Sequence, residues 1–193
     1  MVLLDEHCID CVRFGGPKDP PFAQSGFTVF VTGLPGAGKS TIARGLYDRL
    51  IEAGRTRLLV LDGDMFRSSR SANDVTTARI AVVAEDVTRN GGIALCAAVA
   101  PLADSRERAR RRIERWGRFF LVYLSTPLAV CEQRDRQDLY RDARLGVVER
   151  LTGVTHPYEI PQRPDLTLDT SSATIDDSVL LTMLYLQREG LVC

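Results

Sequence analysis

The sequence predicts an α/β fold, a doubly wound parallel sheet flanked by helices. Two observations carry this expectation. Short apolar runs alternate with helix-period segments from Gly26 onward, and the first apolar run ends in a glycine-rich loop that opens a helical segment. Thr28–Thr32 reads as a buried strand, followed by a helix over Ser40–Ala53 that Gly54 stops. Leu58–Leu61 is the second strand. Ile80, Val83, Ala84 and Val87 give Asp74–Asn90 its helical spacing, and Gly91-Gly92 closes it. Ile93–Ala100 is the third strand and Ser105–Trp116 an arginine-rich helix. Phe119–Leu124 is the fourth strand, with a helix over Pro127–Arg136 behind it. Leu166–Leu168 is a short fifth strand, and Ile175–Arg188, with its Leu180, Met183, Leu184 and Leu186 stripe, is a closing helix. In such a sheet, ligands bind beyond the C-terminal ends of the strands.

The chain has 193 residues, enough for one domain, and its 45% hydrophobic and 26% charged content is that of an ordinary globule. Its 25 basic and 25 acidic residues cancel, which argues against a nucleic-acid coat and makes nucleic acid a poor partner. The basic set is lopsided: 23 arginines stand beside two lysines, Lys18 and Lys39. No run reaches the ~18 apolar residues of a membrane span, and the acids after Met1-Val2-Leu3-Leu4 do not suit a signal peptide. With Cys96 and Cys131 in apolar segments, the expected location is the cytoplasm. Residues 1–25 read as an arm or linker, broken by Gly15-Gly16-Pro17-Lys18-Asp19-Pro20-Pro21, and residues 26–193 as the folded domain. His7-Cys8 and Cys11 supply half a zinc site and lack a second ligand pair.

Gly33-Leu34-Pro35-Gly36-Ala37-Gly38-Lys39-Ser40 matches the phosphate-loop spacing in the strand–loop–helix context that the chemistry needs. Glycines let backbone N–H groups converge on phosphate oxygens, and the helix N-terminus adds partial positive charge. In this pattern Lys39 reaches the β- and γ-phosphates of ATP, the Ser40 hydroxyl binds Mg²⁺, and Thr41 is set to bond a phosphate. Neither the Asn-Lys-x-Asp guanine motif nor the Leu-Ser-Gly-Gly transporter signature occurs. Two carboxylates, Asp62 and Asp64, follow the second strand. Between them they can hold Mg²⁺ and accept a hydroxyl proton, and both face one side if the strand persists.

With these residues in view, the chain resembles the adenylylsulfate kinase (APS kinase) family. The resemblance rests on Gly-Leu-Pro-Gly-Ala-Gly-Lys-Ser-Thr at 33–41 and Leu-Asp-Gly-Asp-x-x-Arg at 61–67. It continues through Thr126-Pro127-Leu128-Ala129-Val130-Cys131-Glu132-Gln133-Arg134-Asp135, Leu139-Tyr140-Arg141 with Ala143-Arg144, and Thr152-Gly153-Val154. Pro157-Tyr158-Glu159 and Pro164-Asp165-Leu166-Thr167-Leu168-Asp169-Thr170 complete it in order. The resemblance implies a nucleotide-kinase-like P-loop fold and transfer of the ATP γ-phosphate to the 3′-hydroxyl of adenylylsulfate. It implies a lid role for Arg134 over the donor's phosphates or adenine, and acceptor contacts from Asp64, Arg67, Arg79 and Arg106. Dimers are common in the family, so a homodimer is a further implication.

The departures cluster on the acceptor side. Ser68–Ala78 is shorter than the family segment by about eight residues, and a family phenylalanine that sandwiches the acceptor's adenine goes with it. The second ring's position, in the substrate-binding set, is Leu151, and the family's Ile-Ser-Pro-Phe-Arg reads Val99-Ala100-Pro101-Leu102-Ala103. Base stacking contributes ~1–3 kcal/mol per ring. The expected acceptor is therefore a hydroxyl on another nucleotide-linked or small anionic metabolite, as in relatives such as cytidine diphosphoramidate kinase. Two other readings compete: an ATP-binding regulatory module without catalysis, and a polynucleotide 5′-hydroxyl kinase suggested by the arginines between 106 and 118. His156 reads as structural, because the carboxylates already serve the chemistry.

Overall fold

The computed structural model describes residues 26–66, 73–135 and 137–192. Within them, five strands form one parallel sheet: β1 (Phe27–Gly33), β2 (Leu58–Asp62), β3 (Ile93–Ala97), β4 (Arg118–Leu124) and β5 (Leu166–Leu168), in the order β2-β3-β1-β4-β5. Helices α1 (Lys39–Glu52), α2 (Asn73–Arg89), α3 (Ala103–Ile113), α4 (Leu128–Gln133), α5 (Leu139–Arg144) and α6 (Ile175–Arg188) surround it. The expected doubly wound architecture is present, with each expected strand and helix within a few residues of its place.

The central strand β1 is buried along its whole length, and its side chains alternate between two cores. Phe27, Val29 and Val31 join Ile42, Leu46 and Leu50 of α1 and Val179 and Met183 of α6 on one face. Phe30 joins Ile80 and Ala84 of α2 and Ala109 and Ile113 of α3 on the other. Thr28 and Thr32 sit in this second row without stranding their hydroxyls. Thr28 Oγ1 pairs with Thr88 Oγ1 at 2.8 Å, and Thr32 Oγ1 donates to Val99 O at 2.6 Å. α6 starts on a reciprocal cap between Thr174 and Asp177, a local start signal that fixes its first turn.

Three differences from the expectation have local causes. β2 ends at Asp62, and Gly63–Phe66 forms a 3₁₀ turn, so strand alternation does not relate Asp64 to Asp62. β3 ends at Ala97 rather than Ala100. At the far end of the expected extension Ala100 turns to φ 41°, outside the strand region. α5 was absent from the sequence reading: six residues are too few for periodicity to register. It is held from outside, by an Asp135 carboxylate that accepts the Leu139 and Tyr140 N–H groups at 3.1 and 2.7 Å.

Candidate active site

The strand register brings three C-termini side by side, with Val31 and Asp62 both paired to Ala97. Beyond them lies a cavity of about 1030 Å³, room for a nucleotide and a second substrate. Pro35, Gly36, Gly38, Lys39, Ser40 and Thr41 line it from the loop and the start of α1, and Asp62 and Asp64 face it from β2 and the 3₁₀ turn.

The loop's shape needs its glycines for different reasons. Gly36 has φ 76°, and a Cβ there would lie 2.8 Å from Cys131 O, so both conformation and space forbid a side chain. Gly38, with φ 97°, has open space around it, and only the left-handed backbone calls for glycine. Gly33, Leu34 and Ala37 shape the loop from behind, and Ala37 is fully buried. The Tyr140 hydroxyl donates to Pro35 O at 2.8 Å and clamps the loop from α5.

Lys39 is 9% exposed, and its Nζ donates to Leu34 O at 2.7 Å. Burial pushes its pKa down from 10.5 to about 8, although the nearby charges of Asp64 and Asp62 pull it upward. Asp62 Oδ1 accepts the Asp64 N–H at 3.1 Å, which ties the two acids together across the strand end. Ser40, Asp62 and Asp64 offer only oxygen donors. Such a set suits Mg²⁺, which takes one or two carboxylates and completes its octahedron with substrate phosphates and water.

Arg134 also lines the cavity. It caps α4 and gives Nη1 to Thr170 Oγ1 at 2.8 Å and Nη2 to Thr170 O at 2.7 Å. The remaining expected site residues lie elsewhere. Arg79 is exposed and donates to Phe66 O at 3.2 Å. Arg106 is 4% exposed and absent from the cavity wall: its guanidinium donates to Ala100 O at 2.7 Å and Glu159 O at 2.6 Å, over the Tyr158 ring. Leu151 is buried in the core on the α1 face and does not line the cavity. Arg67, with Cys8 and Cys11, lies outside the described residues.

Sequence reasoning missed Asn73, Thr76, Tyr140 and Thr170, all on the cavity wall. Asn73 Nδ2 donates to Thr152 Oγ1 at 3.0 Å, and the Thr76 hydroxyl is buried without a hydrogen-bond partner among the described residues. The signal for Asn73 and Thr76 was faint, a pair of polar residues in the first turn of a helix at the strand ends, whereas Tyr140 and Thr170 stand inside the family-like motifs with no role given to them. In the arginine-rich helix α3, by contrast, every arginine but Arg106 is paired with a carboxylate. Arg108 pairs with Asp74 and Asp104, Arg110 with Glu114 and Asp165, Arg111 with Glu107, and Arg112 with Glu85.

A family model described as adenylylsulphate kinase matches residues 25–169. The chain belongs to the adenylylsulphate kinase family. It is 41% identical over 181 residues to a protein of Phaeosphaeria nodorum named sulfate adenylyltransferase, covering 90% of this chain and 32% of that one. The chain thus spans about a third of the length of the curated relatives it matches. Among solved structures it resembles the Mycobacterium tuberculosis APS kinase in complex with AMPPNP and APS. The TM-score is 0.79 at 35% identity, covering 84% of this chain and 98% of that one. It also resembles a hexameric APS kinase from Thiobacillus denitrificans, with a TM-score of 0.67 at 36% identity, covering 90% and 31%. No described helix is long and apolar enough to cross a membrane.

Proposed function

We propose that this chain is an ATP-dependent phosphotransferase that moves the γ-phosphate to a hydroxyl of a small, anionic or nucleotide-linked metabolite other than adenylylsulfate. One observation carries the reading: the phosphate loop with Lys39 and the Asp62–Asp64 pair line one cavity. Phosphoryl transfer is chiefly positioning and charge stabilisation, and these residues supply both. The loop's N–H groups and Lys39 hold the donor's phosphates. Ser40 and Asp62 would hold Mg²⁺, which supplies charge neutralisation on the phosphate oxygens. Asp64, one turn past the strand, accepts the proton of the attacking hydroxyl. The relative solved with AMPPNP and APS is a kinase bound to both kinds of substrate, which supports a two-substrate cavity in this chain.

The acceptor half supports a different substrate. Among the described residues, Ala97, Ala98, Val99 and Ala100, with Asn73 and Thr76, form its wall, and none of these has a ring to stack on a base. Leu151 is committed to the core and Arg106 to two carbonyls, so neither of these two expected contacts is available to an acceptor. The unpartnered Thr76 hydroxyl is left to hydrogen-bond the acceptor, because a buried hydroxyl without a partner costs about 1–3 kcal/mol. The ion-paired arginines of α3 favour no nucleic-acid reading.

The test is ADP release with adenylylsulfate beside a panel of nucleotides and nucleotide-linked metabolites, with Lys39→Ala as blank. Transfer to a panel member, abolished in Asp64→Asn while ATP still binds, is the expected result. Adenylylsulfate as the best acceptor would overturn the acceptor reading. ATP binding without turnover of any acceptor would instead support a regulatory module.

A further inference from the structure

Thr170 closes the last strand-and-loop motif of the chain, and the phosphotransfer reading gives it no task. It is 9% exposed and lies on the cavity wall. Its hydroxyl has one proton and two lone pairs, and the structure uses all three. The proton goes to Ala37 O at 3.0 Å, inside the phosphate loop. One lone pair accepts Arg134 Nη1 at 2.8 Å. The other meets Thr126 Oγ1 at 2.8 Å, so Thr126 must be the donor in that pair. The Thr170 carbonyl takes Arg134 Nη2 at 2.7 Å, completing a two-point grip on one edge of the guanidinium.

We propose that Thr170 is a positioning residue for the nucleotide donor. It locks Arg134 against the phosphate loop, edge inward, so that the guanidinium meets the donor's base with its flat face. A long arginine side chain at the C-cap of a short helix would otherwise sample many rotamers, and fixing it beforehand removes that ordering entropy from binding. The Nη1–Nη2 edge is occupied, so the end-on paired fork is not on offer to phosphate. The planar face remains, and a cation over an aromatic ring is a favourable pairing for a base. Because the same hydroxyl also bonds Ala37 O, the base-side arginine and the phosphate-side loop keep a fixed spacing. This rests on the reading of ATP as donor.

The test uses the full chain and measures direct binding of MgATP and, separately, of inorganic tripolyphosphate. Thr170→Val keeps the shape and removes the hydroxyl. It is expected to weaken ATP by about tenfold and tripolyphosphate by less than about threefold, the smaller loss being that of the bond to Ala37 O. Thr170→Ser keeps the hydroxyl and is expected to restore ATP affinity to within about threefold. In an Arg134→Ala background, Thr170→Val should add no more than about a threefold further loss for ATP, through the bond to Ala37 O. Arg134→Lys keeps the charge, cannot make the paired bonds and leaves the buried threonine intact. It should reproduce the ATP-selective loss even if Thr170→Val does not fold.

Unchanged ATP affinity in Thr170→Val overturns the proposal, as does an equal loss for ATP and tripolyphosphate in either variant. A full additional loss in the Arg134→Ala background overturns it too. A wild-type chain that binds neither ligand sinks the donor reading itself. Wild-type binding with Thr170-insensitive affinity sinks only this proposal.

Discussion

Replacing Lys39 by methionine should make the ligand-free protein more stable while destroying its nucleotide site. The lysine is buried at the first position of α1, where the helix's positive end disfavours a cation. Its pKa falls from 10.5 to about 8, with burial as the largest cause. At about 1.4 kcal/mol for each pKa unit, holding the charged amine there costs about 3 kcal/mol at neutral pH. Methionine has similar length and no charge, so it removes that cost and forfeits the 2.7 Å bond to Leu34 O, a loss of about 1–2 kcal/mol. The net gain is about 1–2 kcal/mol, or about 2–8 °C in Tm for a chain of this size. The sign depends on pH. Below about 8 the amine is charged in both states and the penalty is complete. Between about 8 and 10.5 the unfolded chain binds the extra proton, so wild-type stability rises with pH through that window. The advantage of Lys39→Met should therefore be largest at pH 7 and shrink by pH 10. Thermal melts of both proteins without nucleotide, at intervals across that range, measure it. MgATP should raise the wild-type Tm and leave the variant unmoved. A variant that melts no higher than wild type at pH 7, or a gap that stays constant to pH 10, refutes the reasoning.

Two further outcomes follow from residues that the sequence had assigned to the acceptor. Arg106→Met should lower stability by about 3 kcal/mol, seen as a Tm loss of about 6–12 °C, because it strands the carbonyls of Ala100 and Glu159. Arg106→Lys, with one ammonium for two diverging carbonyls, should recover little of that loss. Leu151→Phe should lower stability by about 1–3 kcal/mol through overpacking of a closed core, without improving turnover of any purine acceptor in the ADP-release assay.

The donor half of the site was legible in the sequence because its physics is local. Gly36, Gly38, Lys39 and Ser40 fall within five residues, and the required backbone geometry admits few other residue types. The sheet was legible for a related reason: buried strands and amphipathic helices each leave a periodic trace. Arg106 shows where that legibility stops. Alignment by motif put its chain position near the acceptor, but only the fold reveals that Ala100 O and Glu159 O, 53 residues apart from it in the second case, have already claimed the guanidinium. Leu151 is similar, since substitution of a ring by an aliphatic chain does not say which way the side chain turns. The Thr170 hub joins residues 37, 126, 134 and 170, and no window of sequence contains such a contact set. Asp64 shares the cavity with Asp62 through a 3₁₀ turn rather than through strand alternation, because the strand ends at Asp62.

The order of the strands has a consequence for how this chain can change over generations. The phosphate loop grows from β1, the innermost strand, and leans on β4 and α4, so most substitutions beneath it disturb both cores. Asp62 rides on β2, an edge strand with a single neighbour. The segment that follows it, up to α2, can be shortened or rewritten while the innermost strand keeps every one of its ladder partners. Diversification at the rim is therefore mechanically insulated from the machinery at the centre, and a lineage can try new acceptors without first surrendering its donor.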